Sequence, residues 1–276
     1  MLLKVESIRN KSLKRILEHS VYILILLVFI PTFLFFEILV VLPTVAEQWS
    51  VAYFIHLICI AFLLVNIVGN MLFGMLVDTS IKGKLLGSDK TNWSFCAACE
   101  CLRPPRSWHC ETCDICILKR DHHCTFFACC VGYFNQRYFI NFVLHIFVAM
   151  VYAFYYNTRY VASFMPWDSG LLIIKFIFPL LCFMIDFGLN SLYVFLIDIN
   201  FIVALFTGYL FLFHSDNILK GRTTPEAKHK TNHDKGWKYN VIDVLGSRWY
   251  LTWICPFISS PLPGNGIDWE VVDKQE

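Results

Sequence analysis

The sequence predicts an α-helical integral membrane protein: four transmembrane helices with a cytosolic, cysteine-rich domain between helices 2 and 3. Three observations predict it. First, 57% of the 276 residues are hydrophobic and only 16% are charged, against roughly 25% charged in a soluble domain. The apolar residues lie in runs long enough to cross about 30 Å of hydrocarbon. Second, nine of the twelve cysteines fall between Cys96 and Cys130, with His109, His122 and His123 among them. Third, Lys and Arg collect in an N-terminal arm, in the centre and in the C-terminal tail, and the positive-inside rule places all three on the cytosolic side. The formal charge of +2 creates no field that would recruit nucleic acid, and no such partner is expected.

Residues 1–20 read as a cytosolic arm carrying Lys4, Arg9, Lys11, Lys14 and Arg15. Residues 21–77 hold helices 1 and 2. The run Val21 to Leu42 is too long for a signal-peptide core and lacks a small-residue cleavage site. Pro31 is placed to kink it, and Glu37 is expected to face protein or the far interface. Val51 to Val77 carries no formal charge, with Gly69 and Gly74 on its later turns, as at packed transmembrane interfaces. Residues 78–138 are polar, basic and short of helical or strand periodicity, so short strands organised by metal are expected there. Residues 139–213 contain helices 3 and 4 and a luminal segment. Arg159, Pro166, Trp167 and Asp168 interrupt the first apolar run; Lys175, Pro179, Asp186, Gly188, Asn190 and Asp198 punctuate the second. Cytosolic placement of both centre and tail requires an even count, so the fourth crossing is set at about Leu189 to Phe213 and residues 163–188 at the luminal interface. Five crossings with an external tail is the alternative. Residues 214–276 form a cytosolic tail, basic at Lys220, Arg222, Lys228, Lys230, Lys235 and Lys238, with an aromatic stretch from Trp249 to Phe257 suited to the membrane interface.

The centre reads Cys96-x2-Cys99, His109-Cys110-x2-Cys113-x2-Cys116, Asp121-His122-His123-Cys124 and Cys129-Cys130. Cys-x2-Cys pairs present two thiolates to one tetrahedral Zn²⁺, and a structural site takes four Cys/His ligands. Twelve candidate ligands fill two closed sites and leave four groups over. A nucleophile needs a sulfur spared from metal, a base beside it and an acid that orients the base. Asp121, His122 and Cys124 supply that set within four residues, and adjacent histidines on an extended chain point opposite ways. A zinc module without catalysis fits the same spacing.

The stretch from Cys96 to Phe139 resembles the cysteine-rich domain of the DHHC protein S-acyltransferases, or palmitoyltransferases. The matching text is Cys96-x2-Cys99, Arg103-Pro104-Pro105-Arg106-Ser107-x-His109-Cys110, Cys113, Cys116, the Asp121-His122-His123-Cys124 tetrad, Cys130-Val131-Gly132, Asn135 and Phe139. Thr223-Thr224-Pro225-Glu226 is similar to the family's TTxE motif, and Asn240 with Val244-x-Gly246 to its C-terminal Asn motif. The Cys129-Cys130 variant is most similar to the ZDHHC24-type branch. The resemblance implies a two-step transfer of a long-chain acyl group, palmitate by default, from acyl-CoA through Cys124 to cysteines of cytosolic-face or juxtamembrane proteins. His122 would be the base and Asp121 would orient it. The resemblance further implies one structural zinc on Cys96, Cys99, His109 and Cys116 and another on Cys110, Cys113, His123 and Cys130. Thr224 and Asn240 would be supporting residues. A multi-pass protein in lipid follows, in the endoplasmic reticulum or Golgi by the same resemblance, with the plasma membrane as alternative.

The chain departs from the family at Thr125-Phe126, where Pro-Trp is usual, at Cys129, where Asn is usual, and at Asp78-Thr79-Ser80, a reduced DPG motif. These changes keep alive a non-catalytic zinc-binding membrane adaptor; a RING-type ligase leaves the tetrad unexplained. Arg103, Arg106, Lys119, Arg120 and Arg137 are expected to attract the CoA phosphates or to form a solvated flank. His19, His56, His145 and His214 read as packing or interface residues, and Cys59, Cys182 and Cys255 as apolar fillers.

Overall fold

The computed structural model describes residues 2–83, 92–164, 170–185, 188–229, 231 and 233–269, with side chains from residue 13 onward apart from 171, 172 and 176. Pro166, Trp167, Asp168, Asp186 and Lys230, and the side chains of Lys4, Arg9 and Lys11, lie outside the described residues. Four described helices are long and apolar enough to cross a membrane: Leu13–Val45, Val51–Leu76, Gln136–Ala162 and Leu189–Leu219. The protein is therefore a multi-pass membrane protein. Large apolar side chains stand exposed along these helices, among them Leu27, Ile58, Leu205 and Leu212, as a lipid solvent allows and water does not.

Local chemistry sets the helix ends. The first helix starts at Leu2 and runs unbroken into the first crossing, so the basic arm is helical rather than a separate tether. Wide π turns at Ile25–Phe29 and Glu37–Val41 flank Pro31; the chain accommodates a residue without an N–H by local unwinding instead of a break. Ser50 starts the second crossing by accepting the Tyr53 N–H at 3.2 Å, and Asp78 ends it with a side-chain turn to the Ser80 N–H at 2.8 Å. The fourth helix ends at Leu219 and the chain turns at Gly221, whose φ of +63° is open to glycine at little cost.

The chain divides into two compact units. One comprises Phe29–Ile67 and Val143–Leu212. Glu37 is buried there and accepts a hydrogen bond from Asn157 Nδ2 at 2.8 Å, so it faces protein as the sequence predicts. Phe36, Tyr160 and Tyr193 cluster beside it. The segment 163–188 contributes two short helices, Gly170–Ile177 and Pro179–Ile185, of eight and seven residues. Neither is long enough to cross, so the described residues contain no fifth crossing. Buried Lys175 donates to Ser191 Oγ at 2.7 Å.

The other unit comprises Met1–Val28, Val68–Phe142 and Phe213–Glu276. Its described residues hold three separate antiparallel hairpins: β1 (Ser94–Cys96) with β2 (Cys101–Arg103), β3 (Trp108–Cys110) with β4 (Ile115–Ile117), and β5 (His122–Cys124) with β6 (Cys129–Val131). Three-residue strands cannot build a core of their own, and six of the buried apolar positions in this unit are Cys96, Cys110, Cys116, Cys124, Cys130 and Leu118. The tail adds helices Thr224–His229 and Trp237–Leu245. Both glycines singled out in the second crossing are packed: a Cβ at Gly69 would meet Pro256, and one at Gly74 would overlap the ring of fully buried Phe127.

Candidate active site

The hairpins sort the cysteines and histidines into groups. Strand periodicity sends neighbours to opposite faces. His109 and its neighbour Cys110 on β3 therefore join different groups, as do His122 and His123 on β5. His109 Nδ1 lies 3.8, 3.2 and 4.0 Å from the sulfurs of Cys96, Cys99 and Cys116. His123 Nδ1 lies 3.6, 3.3 and 3.6 Å from those of Cys110, Cys113 and Cys130, and the last two sulfurs are 3.7 Å apart. Tetrahedral zinc, with bonds of about 2.3 Å to sulfur and 2.0–2.1 Å to nitrogen, separates its ligand atoms by roughly 3.6–3.8 Å. Donor chemistry and spacing thus fit Zn²⁺ twice, each time with four protein ligands.

Cys124 stands outside both groups. Asp121 is 2% exposed. Its Oδ2 accepts from His122 Nδ1 at 2.6 Å and from Thr224 Oγ1 at 3.0 Å, and its Oδ1 accepts the Thr224 N–H at 2.9 Å. With Nδ1 committed to the carboxylate, His122 has Cys124 as its other polar neighbour, and Cys124 is 5% exposed. Burial works against the charged imidazole, but the hydrogen bonds to Asp121 and Cys124 and their charges outweigh it, leaving His122 pushed up to about 9. Burial likewise opposes the Asp121 carboxylate, and its bond from His122 more than compensates, so its pKa falls. The arrangement sets an acid on one side of an imidazole and a sulfur close by, a set able to take a thiol proton and stabilise the resulting imidazolium.

The tail secures this site. Thr223 precedes the short helix Thr224–His229, and Glu226 reaches back to the Thr223 N–H at 2.7 Å, half of a capping box. The same carboxylate meets Arg106 in a fork of two 2.7 Å bonds, and Arg106 also donates to the Gly221 carbonyl at 3.0 Å. Asn240 donates to the Leu219 carbonyl at 2.8 Å and to Asp234 at 2.6 Å, which ties the last helix to the end of the fourth crossing. Asn135 donates to the carbonyls of Gly74 and Cys130, both at 2.9 Å.

A sequence model of DHHC palmitoyltransferases matches residues 89–231. The probable palmitoyltransferase ZDHHC24 of Rattus norvegicus is 35% identical over 217 residues, 76% of each chain. The chain belongs to the DHHC palmitoyltransferase family. The probable palmitoyltransferase ZDHHC24 of Danio rerio is 31% identical over 251 residues, 87% of this chain and 85% of its own. The palmitoyltransferase PFA3 of Debaryomyces hansenii is 25% identical over 209 residues, 68% of this chain and half of its own. This DHHC protein is thus a protein S-palmitoyltransferase of the ZDHHC24 type, and the adaptor reading is not favoured.

The structure corrects two expectations for this palmitoyltransferase. Arg106 and Lys119 do not offer their charge to solvent. Both are buried, Arg106 on Glu226 and Lys119 on Asp243 at 2.6 Å. Burial depresses the Lys119 ammonium, with Asp243 opposing. Arg120 is half-buried; burial opposes its charge, and the neighbouring sulfurs of Cys110 and Cys130 more than offset that and raise its pKa. His214 is not an isolated packing residue: its Nδ1 lies 3.6 Å from Asp121 Oδ2 and its ring 5.3 Å from that of His122. Glu18, which no sequence motif singles out, accepts from His123 Nε2 at 2.9 Å. Neither residue carries a spacing signal; each sits in a mixed polar stretch, Glu18-His19-Ser20 and His214-Ser215-Asp216, where nothing in the pattern marks it out. The departures from the family are absorbed locally. Thr125–Phe127 forms a single 3-10 turn, with Phe126 exposed and Phe127 packed on Phe139 and Phe142. Cys129, across the strand pair from Cys124, is pushed up to about 12 by burial and by the charge at Cys124.

Proposed function

We propose that the enzyme works through a Cys124 acyl intermediate, with palmitoyl-CoA as donor. The supporting observation is that Cys124, alone of the tetrad's sulfur and imidazole ligands with His122, stays outside both four-ligand groups and pairs with the Asp121–His122 couple. His122, oriented by Asp121, takes the Cys124 proton as the sulfur attacks the thioester carbonyl. The new carbon–sulfur bond forms, the bond to CoA breaks, and the CoA sulfur receives the proton. A substrate thiol then loses its proton to His122 and attacks the acyl-enzyme, and Cys124 recovers its hydrogen. Zinc, held by Cys96, Cys99, His109 and Cys116 and by Cys110, Cys113, His123 and Cys130, supplies rigidity when bound. Each buried methylene favours lipid by roughly 0.8 kcal/mol, which is why a site at the membrane surface suits a long acyl chain.

In this reading residues 1–20 and 214–276 and the zinc domain at 78–138 are cytosolic, with crossings within 21–77 and 139–213 and a luminal segment between the last two. The membrane is that of the endoplasmic reticulum or Golgi, and acceptors are cytosolic or juxtamembrane cysteines. Arg103 and Arg137 remain of the basic set for the CoA phosphates. The test is incubation of purified protein with labelled palmitoyl-CoA. Label released by neutral hydroxylamine is expected, absent in Cys124→Ser with zinc near two per chain; label that persists in Cys124→Ser refutes the assignment.

A further inference from the structure

We infer that Glu18, on the helix that becomes the first crossing, is a positioning residue of the second zinc group and fastens that helix to it. The inference rests on the reading that Cys110, Cys113, His123 and Cys130 hold a metal. His123 turns Nδ1 to the three sulfurs. Its remaining nitrogen, Nε2, lies 2.9 Å from Glu18 Oε2, across 105 residues of chain. Both groups are secluded: the Glu18 side chain is 5% exposed and that of His123 12%. A histidine that gives one nitrogen to a metal carries its proton on the other, and a carboxylate accepting that proton fixes tautomer and ring orientation. Glu18 is placed to do this for His123.

The same helix face makes further contacts. One turn earlier, Lys14 donates to Thr112 Oγ1 at 3.0 Å and Arg15 to the Thr112 carbonyl at 2.7 Å. Thr112 lies inside the Cys110-x2-Cys113 turn, so the helix grips this group at the histidine and at the cysteine pair. Three thiolates outweigh a divalent ion by one charge, and Glu18 adds another negative charge. Arg120 at the sulfurs and the Lys14–Arg15 pair supply the compensating positive charge. In the first group, among the described residues, the carboxylate facing the histidine is looser: His109 Nε2 lies 3.9 Å from Asp114, whose side chain is 63% exposed. The two ions should therefore differ in what holds their histidine.

The experiment uses full-length protein in detergent, checked for a monodisperse elution profile. It measures total zinc by mass spectrometry and the chelator concentration that removes each ion. Loss of an outer carboxylate typically weakens a metal site about 10- to 100-fold, and Glu18→Ala is expected to do so for one ion while leaving the other as in the wild type. Glu18→Gln keeps an oxygen that accepts from Nε2 and falls between. Arg15→Ala loosens the helix without touching His123 and has a smaller effect than Glu18→Ala. Wild-type zinc retention in Glu18→Ala and Glu18→Gln, or an equal effect of Arg15→Ala, overturns the inference. Wild-type protein with only one zinc overturns the metal reading itself and the inference with it. Acyl transfer is not measured, so failure of the Cys124 assignment leaves this result standing.

Discussion

Glu226→Ala tests how the tail holds the site. Glu226 makes the Arg106 fork and the Thr223 cap at once, with both side chains at most 5% exposed. Removing one partner of a buried ion pair costs about 3–5 kcal/mol, because the other charge is left without compensation. Loss of the cap adds to this, within a typical range of about 0.5–2 kcal/mol. The displaced segment carries Thr224, so its two hydrogen bonds to Asp121 should weaken along with the pair. The assay is thermal unfolding in detergent beside the initial rate of Cys124 labelling; both should fall. Arg106→Met in the same chain removes the unpaired charge, so the double variant should regain most of the pair's share of the lost stability. The labelling rate should recover less, since the cap stays broken. Additive losses in the double variant, or an unfolding temperature unmoved by Glu226→Ala, refute the reasoning.

Four further outcomes follow from the geometry. Burial opposes ionisation of Glu226, but Arg106 prevails and the folded carboxyl titrates below its ordinary value near 4.5. Its stabilisation is therefore fully present above about pH 4.5 and is lost as pH falls through the folded pKa; the gap in unfolding temperature between wild type and Glu226→Gln should be constant at neutral pH and close in acid. Thr224→Val deletes the hydroxyl on Asp121 and keeps the backbone N–H. Bonds to charged groups are worth about 1.5–3 kcal/mol, so a labelling rate lower by about tenfold or more is expected, with zinc content unchanged and Thr224→Ser near wild type. His214→Leu should slow labelling less than Thr224→Val, because 3.6 Å is beyond hydrogen-bond reach; a larger loss would show that His214 moves onto Asp121 during turnover. Gly74→Ala drives a methyl into the Phe127 ring and should cost about 1–3 kcal/mol, read as unfolding temperature and relieved by Phe127→Leu.

What the sequence reveals here depends on whether a contact leaves a local signature. The crossings are long apolar runs, and a run announces itself. The Cys-x2-Cys pairs are equally plain, since a metal ligand set must be built from closely spaced residues on tight turns. Arg106 and Lys119 have no such signature. They read as a site for CoA phosphates or as a solvated basic flank, yet their partners, Glu226 and Asp243, lie 120 and 124 residues away. Only folding shows that the charge is internal. The arm hides its contacts for a related reason: in the sequence Lys14 and Arg15 carry only the positive-inside signal, and folding alone brings their donors to Thr112.

Strand β5 brings these threads together. Its three residues face three tasks. His122 points to Asp121, which the tail holds through Thr224. His123 points to the second cysteine group, which the first helix meets through Glu18. Cys124 ends the strand, in neither cysteine group and buried. Hairpins of three residues have almost no intrinsic stability, so the position of Cys124 is set by what grips its neighbours on either side. The sulfur's reactivity is thereby tied to segments about a hundred residues distant in both directions. On that account, changes in the arm should reach the zinc group first and the acyl-transfer rate second, and changes in the tail should act in the reverse order.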